Sequence, residues 1–308
     1  MNLITLDNRK DNDKPVLLLI GVRGQLGYDC AKVFSDVFSV KGLSSSDLDL
    51  SCTDDIQATI IKYRPAVILN CGAYTKVDNC ETEVETARLI NAEAPAQLAA
   101  AAKACKALLV HVSTDYVFPG DRKLPDGYSE TDKVGPVSVY GNSKLAGELA
   151  ISKSGCEYLI VRTAWLYGIN GYNFLKTMLR LVLSEPEKER KVVADQYGCL
   201  TSSWRLAQQL LKLVEAGKRG LYHGVGENSA NWFQVASYFL QQMQVEHRLT
   251  PCKTAEYPTP ARRPANSILL NSRLKDDKLL LMLPWQEDLD LFILKYRERL
   301  LNEALKMI

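Results

Sequence analysis

Four apolar runs of strand length, VLLLIG (16–21), AVILNC (66–71), ALLVHV (107–112) and YLIVR (158–162), constrain this chain more than any other feature. Each is rich in branched residues, and stretches of helical period such as DDIQATIIKY and EVETARLINAEAPAQLAAAAKAC separate them. A strand that is continuously apolar must be covered on both faces, and strands joined by helical crossovers run parallel. The pattern predicts an α/β fold in which a doubly wound parallel sheet occupies residues 14–168. Beyond about residue 170 the pattern loosens into helix-like NFLKTMLRLVL and WRLAQQLLKLVEAG, a short strand GLYHGVG and the Pro- and Arg-rich YPTPARRPANS. Residues 169–191 and 223–308 are expected to form a smaller substrate-binding lobe, with 192–222 returning to the first domain.

With 38 Lys and Arg against 36 Asp and Glu, the net charge of +2 calls for neither nucleic acid nor an anionic membrane. The eight cysteines form no CxxC pair, which suits reduced thiols rather than a disulfide framework. Three scattered histidines give no reason to expect a metal site. Residues 1–13 are polar and mixed in charge, and no later apolar run approaches the ~20 residues of a membrane span. The expectation is a cytoplasmic protein with a short flexible N-terminus over residues 1–13.

Chemistry enters at the end of the first run. In LLLIGVRGQLGYDCAKVF, Gly21, Gly24 and Gly27 allow a tight turn, close approach of backbone to a pyrophosphate, and close packing of the next helix. The placement between a strand and a helix points to a dinucleotide. In YGNSKLAGELA, Tyr140 and Lys144 stand four apart, on one helix face, where an ammonium can lower a phenol pKa. In STDYVFPG a core strand ends on Ser113, Thr114 and Asp115, where a doubly wound sheet binds its ligands. The second strand, in FSVKGLSSSD, ends on Ser44, Ser45 and Ser46 before any acid, and Arg23 precedes Gly24. That arrangement favours NADPH, with NADH also accepted; Asp47 serves as the ribose acid if the strand runs longer.

Together these residues resemble the extended short-chain dehydrogenase/reductase family, which implies a Rossmann-type sheet. GQLG, RPAVILNCGAYTKVDNCE, STDYVFPG, VYGNSKLAGE, VRTAWLYG, NFLKTMLRL and ARRPANSILLNS narrow the likeness to its dTDP-4-dehydrorhamnose reductase branch, in unbroken order from about residue 16 to 290. The resemblance implies NAD(P)H-dependent reduction of the 4-keto group of dTDP-4-dehydro-L-rhamnose to dTDP-L-rhamnose, a nucleotide sugar for cell-surface polysaccharide. By that resemblance Tyr140 is the acid, Lys144 holds the nicotinamide ribose and Thr114 completes the catalytic triad. The cofactor would be lined by Gly21, Arg23, Gly24, Gln25, Leu26, Gly27, Asp49, Leu50, Cys71, Gly72, Ala73, Tyr74 and Ser113, with Asp49 near the adenine. The sugar nucleotide would meet Val77, Asp78, Thr114, Asp115, Tyr116, Tyr140, Trp165 and Asn173, with Arg262 and Arg263 on its diphosphate.

Two departures stand out: Leu200 in DQYGCLT replaces a usual proline, which predicts a less rigid loop around Thr201, and Lys76 replaces a residue that is often small. Two other readings stay open. One is a reductase of a UDP-linked 4-keto sugar; the other is a dinucleotide-binding regulator without turnover, like the beta subunit of methionine adenosyltransferase. The sequence leaves monomer and homodimer equally open.

Overall fold

The computed structural model describes residues 14–308, so the expected flexible terminus lies outside the described residues. Each apolar run becomes a strand: β1 (Val16–Ile20), β3 (Val67–Asn70), β4 (Leu108–Thr114) and β5 (Tyr158–Thr163), with β2 (Ser39–Leu43) at one edge. The strand Gly220–His223 closes the other edge beside β5. All six are parallel, in the order Gly220–His223, β5, β4, β3, β1, β2. The helices are α1 (Gln25–Phe34), α2 (Thr53–Tyr63), α3 (Val77–Cys80), α4 (Val84–Arg88), α5 (Ala94–Cys105), α6 (Val139–Lys153), α7 (Phe174–Ser184) and α8 (Ser203–Glu215), followed by Trp232–Gln242, Ser272–Asp276 and Trp285–Leu305.

Alternation along each strand builds two cores. Leu17, Leu19, Leu69 and Val110 face α1 and α8 through Phe34, Leu206 and Leu210. Leu18, Ile20, Ile68 and Leu109 face the opposite layer through Ile56, Leu98 and Ile151. Burial on both sides is why these strands read as continuous apolar runs. A third cluster joins Tyr167, Leu175 and Leu179 to Phe239, Trp285 and Leu289, away from the sheet.

Winding reverses between β1 and β3, because the chain leaves β1 toward β2 on one side and returns to β3 on the other. Such a switch point leaves a crevice beyond the carboxyl ends of the strands. The loops 21–24 and 71–76 open there. Leu200 is 2% exposed inside the third cluster, and Thr201 is fully buried. Thr201 Oγ1 donates to Cys199 O and accepts from Gly226 N. The looser loop expected from the missing proline is therefore not found; apolar burial and hydrogen bonds hold it. Among the described residues no helix is long and apolar enough to cross a membrane.

Candidate active site

The crevice is a cleft of about 620 Å³ between the loops after β1 and β3, the ends of β4 and β5, and the start of α6. At one end the loop after β1 is shaped by close backbone contact. Gly21 has φ +82, and a Cβ on Gly27 would lie 2.1 Å from Gly21 O. Helix α1 starts behind this turn with Gly24 as N-cap, no capping side chain and no acid in its first turn, which leaves its N–H groups and dipole to an anion. Asn170 donates to Arg23 O at 2.7 Å, and Asn173 donates to Gln25 Oε1 at 3.0 Å, tying the loop to the segment before α7.

Beside this loop, Arg23, Ser44 and Ser45 line the cleft. Strand β2 stops at Leu43, so Asp47 falls in the turn, where Oδ2 accepts from Ser44 N at 2.9 Å and Ser44 Oγ at 2.5 Å. The hydrogen bonds from Ser44 hold its carboxyl below the usual range. Asp49 and Leu50 line the cleft too, and the Asp49 carboxylate accepts from Ser51 N and Oγ.

At the other end the groups are buried side chains. Ser138 caps α6 by accepting from Gly141 N, which puts Tyr140 and Lys144 on its inner face. Tyr140 is 8% exposed and Lys144 2%. Burial pushes the Tyr140 phenol well up; the neighbouring Thr114 hydroxyl works against this rise, and Asp115 adds to it. The phenol is thus protonated at neutral pH. The ammonium help predicted from the four-residue spacing is not what the geometry shows: Lys144 Nζ lies 2.8 Å from Val112 O and 3.2 Å from His111 Nε2. Burial lowers Lys144 to about 8, opposed by Glu148.

Thr114 Oγ1 donates to Asp115 Oδ1 at 3.0 Å and accepts from Tyr116 N at 3.2 Å. Burial raises the Asp115 carboxyl to about 6. Ser113 Oγ, Asp115 Oδ2 and Thr163 Oγ1 are buried with no protein partner, and all three residues line the cleft. Buried polar atoms are normally paired, so this row of orphans is where a polar ligand fits. Tyr116 meets Tyr140 edge to face at 5.5 Å. Trp165 stacks at 3.6 Å on Trp232, which in turn leans on Phe174.

Gly21, Arg23, Gly24, Gln25, Leu26, Gly27, Asp49, Leu50, Cys71, Gly72, Ala73, Val77, Ser113, Thr114, Asp115, Tyr116, Tyr140, Lys144 and Trp165 all line this one cleft. Five expected residues do not. Tyr74 OH reaches out to Glu83 at 2.7 Å. Asn173 caps α7 and braces Gln25. Asp78 and Arg263 pair with each other at 2.7 Å, with Arg263 also donating to Tyr116 OH at 3.3 Å, so they form a rim behind Tyr116. Arg262 is exposed to solvent.

Four side chains were not anticipated. Asn91 holds the loop after β3 from both sides, its Oδ1 accepting from Tyr74 N and its Nδ2 donating to Tyr74 O and Ser143 Oγ. It sits in a π-turn that spacing does not reveal. Trp232, behind Trp165, carries no local signal. Asn70 and His111 are fully buried behind Lys144. Here a signal existed: each is the polar interruption in an otherwise apolar strand, and parallel register sets them side by side.

The profile of the RmlD substrate binding domain matches residues 15–298. A dTDP-4-dehydrorhamnose reductase of Burkholderia thailandensis is 36% identical over 277 residues, 84% of this chain and 92% of that one. Its Escherichia coli K12 counterpart is 35% identical over 285 residues, 88% of this chain and 94% of that one. A crystal structure of dTDP-4-dehydrorhamnose reductase from Bacillus anthracis in complex with NADP superposes with a TM-score of 0.87 at 36% identity, covering 92% of this chain and 99% of that one. Likeness of this extent, along nearly the whole chain, makes it a member of the dTDP-4-dehydrorhamnose reductase family.

Proposed function

We propose that the cleft reduces the 4-keto group of dTDP-4-dehydro-L-rhamnose to the alcohol of dTDP-L-rhamnose with NADPH. The observation that carries this reading is the convergence of Thr114, Tyr140 and Lys144 at one end of a cleft whose other end is the glycine loop. The residues present fit a dinucleotide. Gly21, Gly24, Gly27 and the uncapped start of α1 would take the pyrophosphate, and Arg23 with Ser44 and Ser45 would take a 2′-phosphate. Asp47, already engaged by Ser44, offers no competing ribose acid at the strand end.

When bound, the reduced nicotinamide supplies the hydride. Tyr140, kept as the neutral phenol by burial, gives the proton to the sugar oxygen. Thr114 donates a hydrogen bond to the same oxygen as charge develops there; Asp115, which now takes that hydrogen, is its alternative acceptor. Lys144 would hold the nicotinamide ribose. Val77, Tyr116 and Trp165 would enclose the sugar, and the Asp78–Arg263 pair would stand at its rim.

On the same reading, residues 14–168 with 192–222 make the dinucleotide half and 169–191 with 223–308 the substrate lobe. Support comes from the strand Gly220–His223 in the main sheet and the separate cluster around Trp285. The reading takes the enzyme as cytoplasmic and leaves monomer and homodimer to sedimentation. The test is NADPH oxidation with dTDP-4-dehydro-L-rhamnose and its UDP counterpart side by side. A higher kcat/KM for the dTDP substrate supports the proposal, and preference for the UDP substrate overturns its nucleotide. Tight NADPH binding with no oxidation by either would favour a regulator.

A further inference from the structure

Strands β3 and β4 pair so that Asn70 lies beside His111, and neither side chain is exposed. The Asn70 amide is oriented at both ends. Its Oδ1 accepts from Gly72 N at 3.0 Å, in the loop that lines the cleft, so its Nδ2 is the atom 3.1 Å from His111 Nδ1. An amide nitrogen only donates. His111 Nδ1 must therefore accept, and a neutral imidazole then carries its proton on Nε2. Burial pulls His111 well below its ordinary pKa, so the ring is neutral.

The Nε2–H faces Lys144 Nζ at 3.2 Å. An ammonium also only donates, so the charged form of Lys144 would set two donors against each other without water between them. A neutral amine removes the conflict: its lone pair accepts from Nε2–H while an N–H still donates to Val112 O. The other groups facing Lys144 are Glu148 on its own helix, paired bidentately with Arg162 of β5, and Cys71 at the end of β3. Glu148 and Cys71 favour the ammonium, and burial opposes it.

We propose that His111 is a positioning residue which, clamped by Asn70 as its Nε2–H tautomer, holds Lys144 as a neutral amine until Nζ turns to a ligand oxygen in the cleft. NADPH binding then takes up a proton: R–NH2 accepts H+ from solvent and becomes the ammonium that donates to a ribose hydroxyl. The second step rests on the dinucleotide reading above, whereas the tautomer does not.

Two measurements test this. With ring nitrogens labelled, NMR reports which nitrogen of His111 is protonated; the chain has three histidines, and His111→Phe identifies the signal. Nε2 protonated and Nδ1 bare is the result expected, and the reverse overturns the proposal, whether or not NADPH binds. Calorimetry of NADPH binding near pH 8, in buffers of different ionisation enthalpy, then counts protons. The wild type should take them up. Asn70→Asp offers a carboxylate to Nδ1–H, turns Nε2 into an acceptor and raises the Lys144 pKa by on the order of one unit or more, so uptake should vanish. An Asn70→Asp effect of equal size in a His111→Phe background would trace it to charge alone and overturn the relay. Failure of NADPH to bind would count against the dinucleotide reading and leave the NMR result to judge the tautomer.

Discussion

The glycine-loop end of the cleft is made of backbone, and the Tyr140 end is made of buried side chains. At the first, Gly21 and Gly27 let main-chain atoms approach within distances that forbid a Cβ, and helix α1 presents bare N–H groups. At the second, Thr114, Asp115, Tyr140, Lys144 and His111 are all buried, and burial is the largest influence on the titration of Asp115, Tyr140, Lys144 and His111. The difference teaches that binding and proton transfer are separable here. On the proposed reading the loop would select a ligand by shape and fixed dipoles, while burial sets protonation at the far end.

Tyr140→Phe gives the sharpest separation. It keeps the ring against Tyr116 and removes the proposed proton donor, so kcat should fall by roughly a hundredfold to ten-thousandfold. NADPH affinity, measured by fluorescence titration, should stay within about twofold of wild type. A parallel loss of affinity would break the distinction between the two ends.

Gly27→Ala attacks the opposite end. Its new Cβ would sit 2.1 Å from Gly21 O, and overpacking of roughly 1–3 kcal/mol should weaken NADPH binding by about fivefold to 150-fold. The pH profile of kcat should not move, because no titrating group is touched. Arg23→Ala makes a finer cut. Loss of a charge-assisted contact should lower kcat/KM for NADPH by roughly tenfold to a hundredfold and leave NADH little changed. Equal losses with both cofactors would make Arg23 a support for the loop rather than a reader of the 2′-phosphate.

A further effect concerns stability rather than catalysis. Burial raises Asp115 from 3.8 to about 6, so the folded protein keeps a proton that the unfolded chain has released. This contribution is full below pH 3.8 and is lost as pH rises through 6, a swing of up to about 3 kcal/mol. Urea denaturation should show the wild type losing stability across that window more steeply than Asp115→Asn. Identical slopes would mean that burial does not raise the Asp115 carboxyl and that it titrates normally.

How far the sequence reveals the two ends follows from their construction. The backbone end is legible because glycine spacing and strand-to-helix placement are local properties, and Gly21, Gly24 and Gly27 fall in the cleft as expected. Tyr140 and Lys144 are legible for the same reason, sharing one helix. What spacing misses is where Lys144 points. That depends on His111, which strand β4 presents to α6 from a distant part of the sequence. Arg263 is only partly legible in the same way: a basic turn reads as a free cation, whereas folding pairs it with Asp78, far away in sequence. Leu200 errs in the other direction, since a missing proline suggests looseness where tertiary burial supplies order.

The most direct test of the central claim is isotopic. NADPH carrying deuterium at the transferable position of its nicotinamide is turned over with dTDP-4-dehydro-L-rhamnose, and the product is examined by NMR. The account predicts dTDP-L-rhamnose with deuterium at C4, formed one for one with oxidised cofactor, and formation slowed in Tyr140→Phe. Deuterium retained in the cofactor, or found at a carbon other than C4, would contradict it.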